Sequence, residues 1–317
     1  MPDPLTEVVL LLRPAARFSK LVVGAGAWSA HRSDAPGPFY CAVIEGTCRL
    51  TLEDGEARVL EAGDFVLAPA MLAVTLSSLQ ASTGQAHTVP TNMGDGTFRI
   101  GAQDGPADLR IVIGHCSFGS PDAALLVSLL PRLVHVRSEP RLTTLVTLVG
   151  EEARATRPAR EVVLARLLEV LLIEALRSLT ASDTTPGLVR ALSDARLAAA
   201  MRALHGAPAH AWTVDALAKE AALSRSSFFA RFNRAMGMAP MEYLLAWRMA
   251  LAKTLLSEQG LGVAQAAQRV GYGSASSFSV AFTRHTGSPP SQYARERAAA
   301  PAMSAMSAMS AMSADAL

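Results

Sequence analysis

The stretch SSFFARFNRAMG at 226–237 returns fifty residues later as SSFSVAFTRHTG at 276–287, and this internal repeat limits the fold more than any other feature. Ser226, Ser227, Phe228, Phe232, Arg234 and Gly237 recur as Ser276, Ser277, Phe278, Phe282, Arg284 and Gly287, and Pro240 and Tyr243 recur as Pro290 and Tyr293. In each copy two Phe residues four apart share one helix face, and the glycine closes the helix. Upstream, Thr213 is placed to N-cap VDALAKEAA, with Val214, Leu217, Ala218 and Ala221 on its apolar face. Val263, Ala266, Ala267 and Val270 repeat that face at an offset of 49 instead of 50, so the second turn is one residue longer. Ser224 is the N-cap of the helix that follows the first turn. Two helices joined by a short turn form a helix-turn-helix, whose second helix enters the DNA major groove. Between the copies, MEYLLAWRMALAKTLLSE steps through Leu244, Trp247, Leu251 and Leu255 at helical spacing. One bridging helix would set the two reading helices roughly one duplex turn, or 34 Å, apart. The segment is doubled because one chain reads two grooves.

Charge agrees. The chain carries net +2, but residues 194–297 hold 12 Lys/Arg against 6 Asp/Glu, leaving 17 against 21 elsewhere. The basic excess sits on the repeat and points to a polyanionic partner. Half the residues are hydrophobic and 18% are charged, so the chain is globular, with length enough for two cores. No run of 18 apolar residues occurs, and VVLLL at 8–12 meets Arg13-Pro14 at once, which fits neither a signal peptide nor a membrane span. Three cysteines without Cys-x-x-Cys spacing suit a reducing cytoplasm.

From about Leu21 to Phe118 the text reads as short strands. TCRLTL alternates Cys48, Leu50 and Leu52 with Thr47, Arg49 and Thr51; Asp54-Gly55 and Ala62-Gly63-Asp64 supply turns, and LRIVIGHCSF closes the region. This predicts a β-sandwich or barrel. After Pro121, DAALLVSLLPRLVHV, RLTTLVTLVGEEARA and EVVLARLLEVLLIEALRSL have helical spacing. The last is apolar on more than one face, which suits either a core helix or a dimer contact. TASDTTPG at 180–187 reads as a linker, and the Met-Ser-Ala tail as low-complexity sequence without assigned function.

WTVDALAKEAALSRSSFFARF, YLLAWRMALAKTLL, VAQAAQRVGYGSASSFSVAF and GSPPSQY together resemble the DNA-binding domain of AraC/XylS-type transcription regulators, over about 194–296 without a gap. YCAVIEGTCRLTLEDGEARVLEAGDFVLAP followed by LLPRLVHV resembles the cupin-type effector domain that accompanies it in one branch of the family. The resemblance implies an α+β multidomain chain. Its expected parts are a cupin-like effector-sensing β-barrel at 1–120, a helical dimerisation segment at 121–180, a linker at 181–193, an all-α double helix-turn-helix at 194–297 and a tail at 298–317. It implies a cytoplasmic bacterial regulator, a homodimer that binds double-stranded promoter or operator DNA under an unidentified small-molecule effector. RNA polymerase is an additional candidate partner; no membrane, cofactor or catalytic residue is called for.

With Phe228 and Phe232 inward, Arg225, Ser226, Phe229, Ala230 and Asn233 turn outward; in the second copy Ala275, Ser276, Ser279, Val280 and Thr283 do. Family members usually carry a groove-reading Arg where Ala230 and Val280 stand here, so the strongest guanine contact is missing from both helices. Phe229 and Val280 are then candidates for packing on thymine methyls, and Val280 has the alternative of burial against the linker helix. Arg231, Arg234, Arg248, Lys253, Arg269 and Arg284 are phosphate candidates.

A metal-dependent cupin enzyme is the alternative function for the N-terminal part. Cys41 and Val74 stand where metal ligands are expected, and His87 and His115 lack ligand spacing, so no metal site is assigned. Cys41, His115 and Cys116 form a candidate effector or redox site if the strands carrying the thiols converge and the imidazole lowers a thiol pKa. The bland reading is that these cysteines are small core hydrophobes.

Overall fold

The computed structural model describes residues 3–32, 37–70, 72–81, 87–94, 96–155, 157–179 and 186–297. The tail 298–317 and linker residues 181–185 lie outside the described residues. The described residues form two compact units, one within Asp3–Asp194 and one that begins at Ala195.

The first unit opens with α1 (Pro4–Leu12), whose N-cap Asp3 accepts from the Thr6 N–H at 3.0 Å. The strands β1 (Pro14–Ala25), β2 (Ser29–Arg32), β3 (Phe39–Glu45), β4 (Thr47–Leu52), β5 (Ala57–Glu61), β6 (Phe65–Ala68), β7 (Val74–Ser77), β8 (Thr91–Gly94), β9 (Thr97–Gly101) and β10 (Leu109–Phe118) follow. After α2 (Ala123–Ser128) comes β11 (Val134–Val136), then α3 (Pro140–Arg154), α4 (Arg160–Arg177) and α5 (Leu188–Ser193).

The strands form two sheets, one of seven in the order β11-β6-β3-β10-β1-β9-β8 and one of four in the order β2-β7-β4-β5. Only the β1–β9 pair is parallel among the pairings of the described strands. Cys48, Leu50 and Leu52 of β4 point between the sheets, as their alternation requires, into a core with Phe39, Val43, Leu60, Val66 and Ile111. The barrel expectation needs correction: among the described residues no strand pairing joins the two sheets, so the cupin-like unit is an open sandwich. The large sheet runs on at its edges through β11 and the β8–β9 hairpin instead of closing. Its other face is covered by α3 and α4, which pack on each other.

Two further expectations are corrected. DAALLVSLLPRLVHV is not one helix; Pro131 follows α2 closely, and Val134–Val136 pair with Phe65–Leu67 as the edge strand. The segment at 121–180 is therefore only partly helical. The linker expected at 181–193 is helical from Leu188, because Leu188, Val189 and Ala191 bury against the unit and Leu188 N–H donates to Leu129 C=O at 2.7 Å. Helix α4 buries Leu164, Leu168, Leu171, Leu172, Ala175 and Leu176 on one side and leaves Val162, Val163 and Val170 exposed on others.

The second unit is helical: α6 (Ala195–Gly206), α7 (Val214–Glu220), α8 (Arg225–Met236), α9 (Pro240–Ser257), α10 (Val263–Arg269) and α11 (Ala275–Thr286). Pro240 opens α9, and the Glu242 carboxylate accepts from the Ala239 N–H at 3.4 Å. At 18 residues α9 is about 27 Å long. Its C-terminal half (Met249, Ala252, Leu256) shares a core with Ala266, Ala267, Phe278 and Phe282 of the second copy.

Candidate nucleic-acid interface

The repeated residues build the same local structure twice. Thr213 Oγ1 accepts from the Ala216 N–H at 3.1 Å; Ser224 and Ser274 accept from the Ser227 and Ser277 N–H groups at 3.3 and 3.1 Å. Each cap satisfies an N–H that has no partner within its helix. Gly237 and Gly287 close α8 and α11 at φ 79° and 83°. Between cap and close, Phe228 and Phe232 lie with ring centroids 5.6 Å apart, and Tyr243 packs edge-on to Phe232. Phe278, Phe282 and Tyr293 repeat this at 5.4 Å and 5.5 Å. All four Phe rings are fully buried, which fixes the opposite face of each helix outward.

On α8 that face places Arg225, Ser226, Phe229, Ala230, Asn233 and Arg234 in solvent. On α11 Ser276, Val280 and Arg284 are exposed, while Ala275, Ser279 and Thr283 are half-buried. Val280 is 62% exposed. Its reading as a residue buried against the linker helix is therefore corrected: Phe278 and Phe282 take the core positions, and the residue midway between them faces out.

The phosphate candidates divide. Arg231, Arg234, Arg269 and Arg284 are exposed. Lys253 is buried in α9, and Arg248 donates from Nε to Pro208 C=O at 2.8 Å and from Nη2 to His210 C=O at 2.7 Å. Arg248 thus fastens α9 to the loop before α7 and is spent on structure. Arg225 lies 3.6 Å from the Asp215 carboxylate, an exposed pair of little energetic weight.

The thiols of the first unit do not form the expected site. In the β3–β10 register Cys41 faces Ile113, and Tyr40 faces Gly114. Cys41 therefore shares the core between the sheets with Ile113, and His115 lies on that side, its ring 6.0 Å from that of Phe39. Cys116, one residue on, shares the other face with Gly114, over which the Tyr40 ring lies. Successive residues of a strand point to opposite faces, so Cys41 and Cys116 do not converge, nor does His115 turn toward Cys116. All three cysteines are free and buried. Burial pushes the Cys41 thiol well up, with further upward contributions from Cys48 and the Asp64 carboxylate. The Cys48 thiol is pushed up to about 12 by burial and then by Asp64. Val74, which like Cys41 stands where a metal ligand is expected, sits in the same apolar core. Among the described residues no group of three or more His, Cys, Asp or Glu side chains is placed to hold a metal ion.

Comparison with known proteins matches residues 3–181 to the cupin family and residues 217–296 to a helix-turn-helix domain family. A putative AraC-like transcription regulator of Streptomyces lividans is 35% identical over 306 residues, covering 92% of this chain and 97% of that one. A second, from Streptomyces antibioticus, is 36% identical over 300 residues, covering 92% and 98%. The chain belongs to the AraC-type transcription regulators. The HTH-type transcriptional regulator AlkR of Acinetobacter baylyi is more distant, 28% identical over 298 residues, with 86% of this chain and 92% of that one covered. This AraC-type regulator is accordingly a DNA-binding transcription regulator with an N-terminal cupin domain.

Two features of the regulator had no signal in its sequence. His205 of α6 is buried with Nε2 2.7 Å from the Tyr243 hydroxyl and its ring 4.2 Å from Trp247, which ties α6 to α9. In the cupin unit a cleft of about 620 Å³ opens beside β11, lined by Arg58, Leu133, His135, Arg137 and Leu179 among others. His135 Nε2 lies 3.1 Å from the Asp64 carboxylate, both side chains buried.

Proposed function

We propose that this regulator binds promoter DNA in the cytoplasm as a homodimer, with α8 and α11 of each chain in successive major-groove segments and a small-molecule effector in the cupin unit. The observation that carries the DNA reading is the doubled second helix, capped by Ser224 and Ser274, whose Phe pairs fill two cores and leave Phe229, Ala230 and Asn233 of one copy and Ser276 and Val280 of the other exposed. Arg234 and Arg284, one per copy, serve phosphate. The test is DNA binding by the intact chain across a salt series. Arg234→Ala and Arg284→Ala each lower the salt slope by about one and weaken all sequences alike. Loss at a single base pair would make them readers instead.

Burial of the thiols favours a bound effector over an oxidation signal, since a thiolate is the reactive form. The cleft beside β11 has a size usual for small ligands; its Arg58 is already paired with Glu56 at 2.6 Å, and Arg137 beside Leu133, Val136 and Leu179 favours an anion with an apolar part. Effector and DNA need only differ in affinity for two states of the chain to be linked. No enzymatic chemistry is assigned to this unit; stoichiometric iron, nickel or zinc that survives dialysis and is lost in His115→Ala would overturn that. Dimerisation is supported by exposed Leu148 of α3 and exposed Val162, Val163 and Val170 of α4. Val163→Asp with Val170→Asp should then give monomers in sedimentation.

A further inference from the structure

We propose that both reading helices recognise thymine by its 5-methyl group, through Val280 on α11 and Phe229 on α8, so that an A·T pair is specified in each groove segment that a helix reads. The inference rests on the placement of these helices in the major groove. Base edges there admit few partners: Arg or Lys for guanine, Asn or Gln for adenine, Asp or Glu for cytosine, and an apolar group for the thymine methyl.

Helix α11 decides by elimination. From Ala275 to Thr283 it has no Arg, Lys, Asn, Gln, Asp or Glu. Of its hydroxyls, Ser277 is engaged with Ser274 at 2.9 Å, and Ser279 donates to its own helix at Ala275 C=O, 2.8 Å away. Ser276 and Thr283 remain, and a hydroxyl discriminates weakly between bases. The one large apolar side chain projecting from this face is Val280, and the exposed Arg284 beyond it is the phosphate candidate. An isopropyl group cannot hydrogen-bond, and the thymine methyl is the one apolar feature of the groove floor.

Helix α8 reaches the same base pair by other means. Phe229 stands five residues after the cap Ser224, whereas Val280 stands six after Ser274. Ala230, at the position equivalent to Val280, adds only a methyl group. Asn233, one turn further along the exposed face, has the amide that pairs with adenine N6 and N7. Single exposed apolar residues are ordinary on protein surfaces. Here, though, the unit's exposed large apolar side chains among the described residues are Phe229, Met241, Leu245 and Val280, and two of these fall on the outward face of a reading helix, one in each copy.

The experiment uses the full chain to select a preferred operator from randomised duplexes. Each thymine is then replaced in turn by deoxyuridine, which deletes the methyl group and leaves pairing unchanged. One position under each reading helix should lose about fourfold in affinity, the worth of one buried methyl group. In Val280→Ala the positions under α11 should become indifferent to the exchange while those under α8 keep their loss, with the melting temperature unchanged because Val280 is exposed. Equal affinity for thymine and uracil at every position of a selected operator, or guanine specified in both half-sites, would overturn the proposal alone. A selection that returns no preferred sequence would overturn the groove placement beneath it as well.

Discussion

At the turn between its two helices the first copy places Ala222 at φ 50°, and the second places Gly271 at φ 83°. The hydrogen bonds that follow are equivalent: Leu223 N–H donates to Ala218 C=O at 2.9 Å, and Tyr272 N–H to Ala267 C=O at 2.9 Å. Both turns therefore close in the same left-handed way, and an alanine tolerates it at a cost of about 1–2 kcal/mol. What differs is the neighbourhood. Ala222 is exposed. A Cβ on Gly271 would lie 2.6 Å from Ala209 C=O and 2.8 Å from Arg248 Nη2. The glycine is demanded by the entrance loop of the first copy pressing on the turn of the second, and not by the turn itself. The buried Phe pairs, the caps Ser224 and Ser274 and the exposed Arg234 and Arg284 are copied, whereas Phe229, Ala230 and Asn233 of the reading face have become Ser279, Val280 and Thr283.

The comparison breaks most sharply if the two Phe cores are not equivalent. Phe232→Ala and Phe282→Ala should each destabilise the second unit by about 3–5 kcal/mol, and a calorimetric difference between them larger than the spread of that range would show that one core dominates. Gly271→Ala should cost about 3 kcal/mol, the sum of a left-handed Ala and a steric conflict with backbone; a melting temperature near that of the parent would mean the junction can relax. Ala230→Arg should leave stability unchanged and create a guanine preference of about 1–3 kcal/mol at one operator position. An unchanged selected sequence with normal folding would show that α8 does not sit in the groove as placed. The smallest effect is Ala222→Gly, which should stabilise by about 0.5–1 kcal/mol by relieving the left-handed Ala while loosening the unfolded chain. A loss of stability there would show that the two turns are not alike.

Legibility followed the same division. The cap Ser224, the closing Gly237 and Gly287 and the Phe pairs were readable because a repeat constrains each position twice; Thr213, whose counterpart is Gly262, was readable only from its place before VDALAKEAA. The strands around Cys48 were readable from alternation, but alternation says which face is buried and nothing about which edges pair; hence the expected barrel is an open sandwich. β11 was hidden because Leu129, Leu130, Leu133, Val134 and Val136 fit helical spacing as well as they fit a short helix followed by a strand. Arg248 and Lys253 counted toward a basic surface, although a charge count cannot see the carbonyls that hold Arg248 or the burial of Lys253. Spacing turned Val280 outward from the two core Phe residues, but spacing cannot say whether another element covers that face, and the 62% exposure of Val280 does.

The junction of Ala209, Arg248 and Gly271 bears on how the regulator meets an imperfect site. Arg248 belongs to the bridging helix, holds the loop that leads into the first copy, and lies against the turn of the second. Three elements meet there without the room for a methyl group, so the protein offers little elastic compliance between its two readers. When the spacing or phase of an operator is off, the strain falls on the duplex, where smooth bending over a site of this length costs on the order of 1–6 kcal/mol. Base pairs between the half-sites, touched by no side chain, then enter the affinity through their stiffness.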